Sequence, residues 1–238
     1  MSTTLYGFLK FVSPEFEKDF LDGNLYMKSL QYFIDEEATH GAGRGDKYEA
    51  SWIMKPLSIK IGDVTIEEKD IKEVSIRSHE FSNAPVYCMF AIEEKHIQRD
   101  SETNLSKVVI PKQELELIIN EFGNNAFYVP AAEFLKRVEN ACDSQKIHVA
   151  NGLVAYYDTS LNDAEYTNRV KDIFNVNVAY TKKIEFKHQN EYRFLKLNQT
   201  ITPDSYDYLK IGDLRDIATK VEFDHVNKDS IKNILFRN

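Results

Sequence analysis

Val86-Tyr87-Cys88-Met89-Phe90-Ala91-Ile92 is an unbroken apolar run. A strand without polar alternation is one buried on both faces, so the fold must supply covering layers on each side of it. The rest of the chain provides material for both. Residues 5–12 (LYGFLKFV) predict an opening strand with Lys10 set into an apolar run, and residues 24–30 (NLYMKSL) a second, with Ser29 near its end. Further β signals lie in 52–92, 126–129, 145–158, 176–180, 184–197, 208–211 and 220–223. Ser13-Pro14-Glu15 is a helix start, with Ser at the N-cap, Pro at the first position and an acid in the first turn, and Gly23 ends that helix. Pro111 opens a helix over 111–122 ahead of Gly123, Pro130 opens another to about Cys142, and 161–174 and 230–236 suit a helix and a terminal helical turn. Together these predict a single α+β domain over 1–238: a bent, mostly antiparallel sheet, continuous or split in two, with helices packed outside it.

The 238 residues are 42% hydrophobic and 29% charged, the balance of an ordinary globular chain. A formal net charge of −8 argues against a general nucleic-acid binder, which would carry a basic face. Cys88 and Cys142 form neither a disulfide framework nor a CxxC pair. They are expected as reduced thiols in a cytoplasmic protein, since no basic, apolar leader precedes Leu5-Tyr6-Gly7-Phe8. No stretch approaches the roughly 20 apolar residues of a membrane span.

Residues 34–51 are the most polar segment and are expected to be a loop. Gly41, Gly43 and Gly45 give a GxGxG spacing with no amphipathic helix behind it, which is not a dinucleotide phosphate cradle. Arg44, Asp46 and Glu49 stand where a lid or substrate contact would lie, although a solvated charged loop is the more common cause of such a pattern. The histidines His40, His79, His96, His148, His188 and His225 do not pair at ligand spacing, so no metal site is expected. Neither GxSxG nor a Walker motif occurs.

One stretch stands apart: Phe186-Lys187-His188-Gln189-Asn190-Glu191-Tyr192-Arg193-Phe194. If Glu191–Lys196 is one strand, Glu191, Arg193 and Leu195 share one face and Tyr192 and Phe194 the other. Glutamate is unfavourable in strands. Either the strand is wet and carries an ordinary ion pair, or a carboxylate is held by a neighbouring cation in a pocket.

Taken in order, Lys10-Phe11, Leu25-Tyr26 with Ser29 and Phe33, Gly45-Asp46-Lys47-Tyr48-Glu49, Val154-Ala155-Tyr156, Tyr180-x-Lys182 and Asn190-Glu191-Tyr192-Arg193 resemble an uncharacterised bacterial and phage family of cytosolic proteins with an ExEYR-type motif. The family's Asn-Asp-Pro is missing after Phe33, and Gln189 replaces the first acid. More remotely, the order is similar to the ADP-ribosyltransferase superfamily. That resemblance implies an ADP-ribosyltransferase-like fold, NAD as cofactor, and a transferase or NAD glycohydrolase activity. It implies Glu191 as the carboxylate that stabilises the cationic ribose and Ser29 as the group that positions it. Lys10 would bind phosphate, Tyr32 would stack on a ring, and Arg193 would help hold the cofactor. The alternative is a non-catalytic phage or bacterial protein that works by binding another protein, for instance in defence or counter-defence.

Overall fold

The computed structural model describes residues 4–40, 45–54, 58–67, 73–100, 105–158, 164–223 and 230–237. The apolar run forms the middle of an eight-stranded sheet. Its strands are β1 (Leu5–Phe11), β2 (Asn24–Ser29), β3 (Pro85–Glu93), β4 (Ala126–Pro130), β5 (Val149–Leu153), β6 (Glu191–Lys196), β7 (Asp207–Lys210) and β8 (Thr219–Lys220). The order β5-β6-β3-β1-β4-β8 is antiparallel throughout, and β2 joins β3 to β7. The α+β class and the antiparallel sheet agree with the sequence reading.

The sheet is split along one edge of β3. β6 pairs with β3 from Glu191 opposite Phe90 to Leu195 opposite Val86, and so covers one edge. The other edge is shared. β1 pairs as far as Leu9 opposite Phe90, whereas β2 pairs only with Val86 and Pro85. Between them, Tyr87–Met89 have no strand partner on that side among the described residues, and β1 and β2 diverge.

Both faces of β3 are covered, as its composition demanded. Helix Ala131–Gln145 lays Phe134 and Val138 on Phe8, Tyr192 and Phe194, whose rings meet at centroid distances of 4.9–6.1 Å. Helix Lys112–Phe122 lays Leu115 and Ile118 on Leu9 and Phe90 across the sheet. A third cluster, with Leu30, Val86, Tyr166, Val178 and Leu195, lies beside β3 and β6. Burial of such side chains is the main favourable term, about 25 cal/mol per Å² of apolar area.

Four local expectations are corrected. Residues 34–40 are not loop but continue the helix Leu30–His40. Ser29 Oγ accepts the Tyr32 N–H at 3.2 Å and caps it, and Leu30, Phe33 and Ile34 turn inward beneath a polar outer face. Val176–Tyr180 is a short 3₁₀ segment whose start is capped by Asn175, not a strand. A 3₁₀ segment also replaces the strand expected over Ile184–Gln189, and Asn190 in the left-handed region (φ 36°) turns the chain into β6. Ser230–Arg237 is a strand on Leu105–Val109, not a helical turn, because its partner lies far away in the chain. No helix among the described residues is long and apolar enough to cross a membrane.

Candidate active-site cleft

Where β1 and β2 part, a cleft of about 710 Å³ opens. That lies within the usual range for small-ligand sites, roughly 300–1,000 Å³. Glu191 and Arg193 stand in its wall, and both are buried, at 6% and 1% exposure. The pleat aims them as expected: Glu191, Arg193 and Leu195 share a face with Phe90, Cys88 and Val86, while Tyr192 and Phe194 enter the core on the other. The wet-strand alternative is thereby excluded for this strand.

The two side chains form a forked pair. Arg193 Nε donates to Glu191 Oε1 at 2.5 Å and Nη2 to Oε2 at 3.1 Å. Nη1 donates to the Ala179 carbonyl at 2.6 Å, and Nη2 also lies 3.0 Å from Glu49 Oε2. Every nitrogen of this guanidinium is engaged within the protein, so Arg193 organises carboxylates and is not placed to grip a cofactor phosphate. A two-point Arg fork on a planar carboxylate is the geometry Lys cannot reproduce.

Lys182 completes the group. The parallel pairing of Ala155–Tyr157 with Thr181–Lys183 sets it beside Tyr156. Its Nζ lies 2.7 Å from Gln189 Oε1, 3.2 Å from Glu49 Oε1 and 3.4 Å from Glu191 Oε2. The Glu191 N–H donates to the Tyr156 hydroxyl at 2.9 Å, which fixes the start of β6. Two acids and two cations are thus buried together. Burial works to raise the Glu191 pKa, but the charges of Arg193 and Lys182 overcome it and hold the carboxyl well below its ordinary range. Burial also raises Glu49, and here the same cations do not reverse it, because Glu191 and Asp46 add repulsion. Burial and the Glu191 charge push the Cys88 thiol well up, so it stands neutral.

Lys10 reaches the cleft from the other face of the sheet. It shares the face of Phe8; its Nζ sits 4.0 Å over the Tyr87 ring and donates to the Cys88 carbonyl at 2.8 Å, within the split. Tyr32 also lines the cleft, with Lys28 Nζ 4.6 Å from its ring centre. At the mouth Phe16, Tyr26 and Tyr206 are exposed by 55%, 40% and 57% and touch one another through Tyr26, at centroid distances of 6.3 and 5.2 Å.

The structure therefore brings Lys10, Tyr32, Glu49, Glu191 and Arg193 to one cleft. It does not bring Ser29 or Asp46 to its lining. Ser29, expected to position a ribose, is fully buried and caps the helix that carries Tyr32. Asp46 is 1% exposed; its Oδ1 accepts the Tyr48 N–H and its Oδ2 the Lys183 N–H, both at 2.9 Å, so it fastens its segment to the Lys182 strand. Glu49 is likewise buried and faces the ionic group, not solvent. Arg44 lies outside the described residues. Lys182 and Gln189 are the participants that sequence reasoning left unassigned. The signal for Lys182 was present in Tyr180-x-Lys182, which the motif order already included.

Set against protein-family models, curated proteins and solved structures, the chain matches none.

Proposed function

We infer that this cleft binds NAD and that Glu191 stabilises the cationic ribose formed when the nicotinamide–ribose bond breaks, giving an ADP-ribosyltransferase-like or NAD glycohydrolase-like activity. The observation that carries this reading is a carboxylate kept ionised at the wall of a ligand-sized cleft, locked by Arg193 and Lys182. A fixed negative charge is what an oxocarbenium-like transition state requires, and one that needs no reorganisation during the reaction is the most effective kind. The split sheet suits the ADP-ribosyltransferase-like fold that the motif order implies. Lys10 supplies a cation within the split for the phosphates, and Tyr32 an aromatic face for a ring. The acceptor would be water or a protein target. Both cysteines stand as free thiols, which suits a cytoplasmic setting.

The test is a thermal shift at millimolar NAD followed by turnover. NAD should raise the melting temperature of the wild type and of Glu191→Gln alike, with NAD cleavage in the variant reduced about 10³-fold. Absence of any shift at millimolar NAD removes this reading.

The exposed rim of Phe16, Tyr26 and Tyr206 favours a second reading, in which the protein is non-catalytic and works by binding another protein, as in phage or bacterial defence or counter-defence. In that case Tyr206→Ala weakens a complex recovered from host lysate, and NAD has no effect.

A further inference from the structure

Glu49 and Glu191 come from distant parts of the chain into one cleft, and the cations between them treat them unequally. Glu191 receives both arms of the Arg193 fork as hydrogen bonds and Lys182 as well. Glu49 lies near the same two cations, with Lys182 Nζ 3.2 Å from Oε1 and Arg193 Nη2 3.0 Å from Oε2. Yet among the described residues Oε2 accepts no hydrogen bond, on a side chain only 1% exposed that lines the cleft. A buried carboxylate oxygen near a cation but off the line of its N–H bonds is under-satisfied as an anion. Of the two acids, Glu49 therefore loses less by accepting a proton.

We propose that Glu49 is the proton-accepting carboxylate of this cleft, taking the proton of the attacking hydroxyl or water while Glu191 stays charged against the sugar. This rests on the N-glycosidic reading above and extends it to a second residue. In the step, the bond between ribose C1′ and the pyridinium nitrogen breaks, and its electron pair remains on that nitrogen, so nicotinamide leaves neutral. A lone pair of the attacking oxygen forms the new C1′–O bond. The proton released from that oxygen passes to Glu49 Oε2 and then to solvent.

Two carboxylates whose surroundings push their proton affinities apart are the usual basis for dividing charge stabilisation from proton transfer. The charged groups facing Glu49 are Arg193 and Lys182, which favour its anion, and Glu191 and Asp46, which oppose it; burial opposes it most. The balance is a raised proton affinity, suited to a base that must release its proton each cycle.

The experiment pairs carboxyl-¹³C NMR of glutamate-labelled protein with NAD turnover across pH, in wild type, Glu49→Gln, Glu49→Asp and Glu191→Gln. The wild type should show one buried carboxyl titrating above the ordinary glutamate value of about 4.3. That signal should vanish in Glu49→Gln and persist in Glu191→Gln. Glu49→Gln should lower kcat about 10²-fold with KM little changed, and should lose the fall in rate at acid pH; Glu49→Asp should restore that fall. A Glu49→Gln rate within threefold of wild type with its acid limb intact overturns the proposal, as does a Glu49 carboxyl that stays ionised wherever Glu191 does. A wild type inert toward NAD sinks the N-glycosidic reading instead, and the carboxyl titration then decides on its own whether Glu49 is the acid that takes up the proton.

Discussion

Arg193 and Glu191, two residues apart on β6, meet through both arms of a fork, Nε to Oε1 at 2.5 Å and Nη2 to Oε2 at 3.1 Å, beneath the surface of the cleft. Neighbours at this spacing lean to the same side of a strand, so the pair is built into the local sequence. Its burial is not. Once buried, the pair ties stability to charge balance, because a carboxylate stripped of its partner inside a protein is costly.

Arg193→Met should therefore destabilise the protein by about 3–5 kcal/mol, since Glu191 and Glu49 would share only Lys182. Arg193→Lys should recover part of that loss and no more, because an ammonium cannot span Glu191 and the Ala179 carbonyl together. Urea denaturation of the three proteins at neutral pH gives the ranking. Equal stability of the Lys and wild-type proteins would mean that the fork geometry is irrelevant.

His96 predicts an acid sensitivity with a defined window. Its ring is 1% exposed, its Nδ1 accepts the Glu93 N–H at 3.0 Å, and its Nε2 has no hydrogen-bond partner among the described residues. Burial, aided by the nearby charge of Lys95, lowers its pKa to about 4, while Glu93 pulls the other way. The unfolded chain, with an ordinary His value of about 6.5, binds the proton first as pH falls. The stabilisation is thus complete above about 6.5 and is lost between there and about 4, a change on the order of 3 kcal/mol. His96→Asn, whose side-chain oxygen can still accept the Glu93 N–H, should flatten that part of the curve of unfolding free energy against pH. An unchanged slope between pH 6.5 and 4.5 would contradict the assignment.

Gly45 is required by a close approach. A Cβ there would lie 1.8 Å from the Phe33 carbonyl oxygen, against the backbone of the Leu30–His40 helix. Gly45→Ala should cost roughly 3 kcal/mol and shift the segment that carries Glu49. A melting temperature within one degree of wild type would show that the segment moves aside freely.

The aromatic rim separates binding from folding. Tyr206 is 57% exposed, so Tyr206→Ala should change stability by less than about 0.5 kcal/mol. Calorimetric titration with NAD, and capture of a partner protein, should report which ligand loses affinity. If neither does, the rim has no part in recognition.

Much of this was legible along the chain, for reasons that are local. The apolar run at Val86–Ile92 could only be a central strand, and the Ser13-Pro14 start and Gly23 stop bracket a short helical segment through chemistry a few residues wide. At Gly23 the backbone takes a φ of 73°, the left-handed turn that glycine permits. The pleat alone put Glu191 and Arg193 on one side of their strand. Polar composition misled over 34–40, because the inward face of that helix is narrow and its outer face reads as loop.

Sterics and periodicity within a few residues thus determined the central strand, most of the elements around it and which side of β6 carries charge, but not the helix over 34–40, the 3₁₀ segments Val176–Tyr180 and Ile184–Gln189 or the strand Ser230–Arg237. Tertiary structure alone decided that β1 and β2 part along β3 and that Lys182 and Glu49 close on the Arg193 pair. These depend on pairings between strands far apart in the chain, such as Leu9 with Phe90 and Lys28 with Val86. Their registers are fixed by packing the whole core together, not by any segment's own preference.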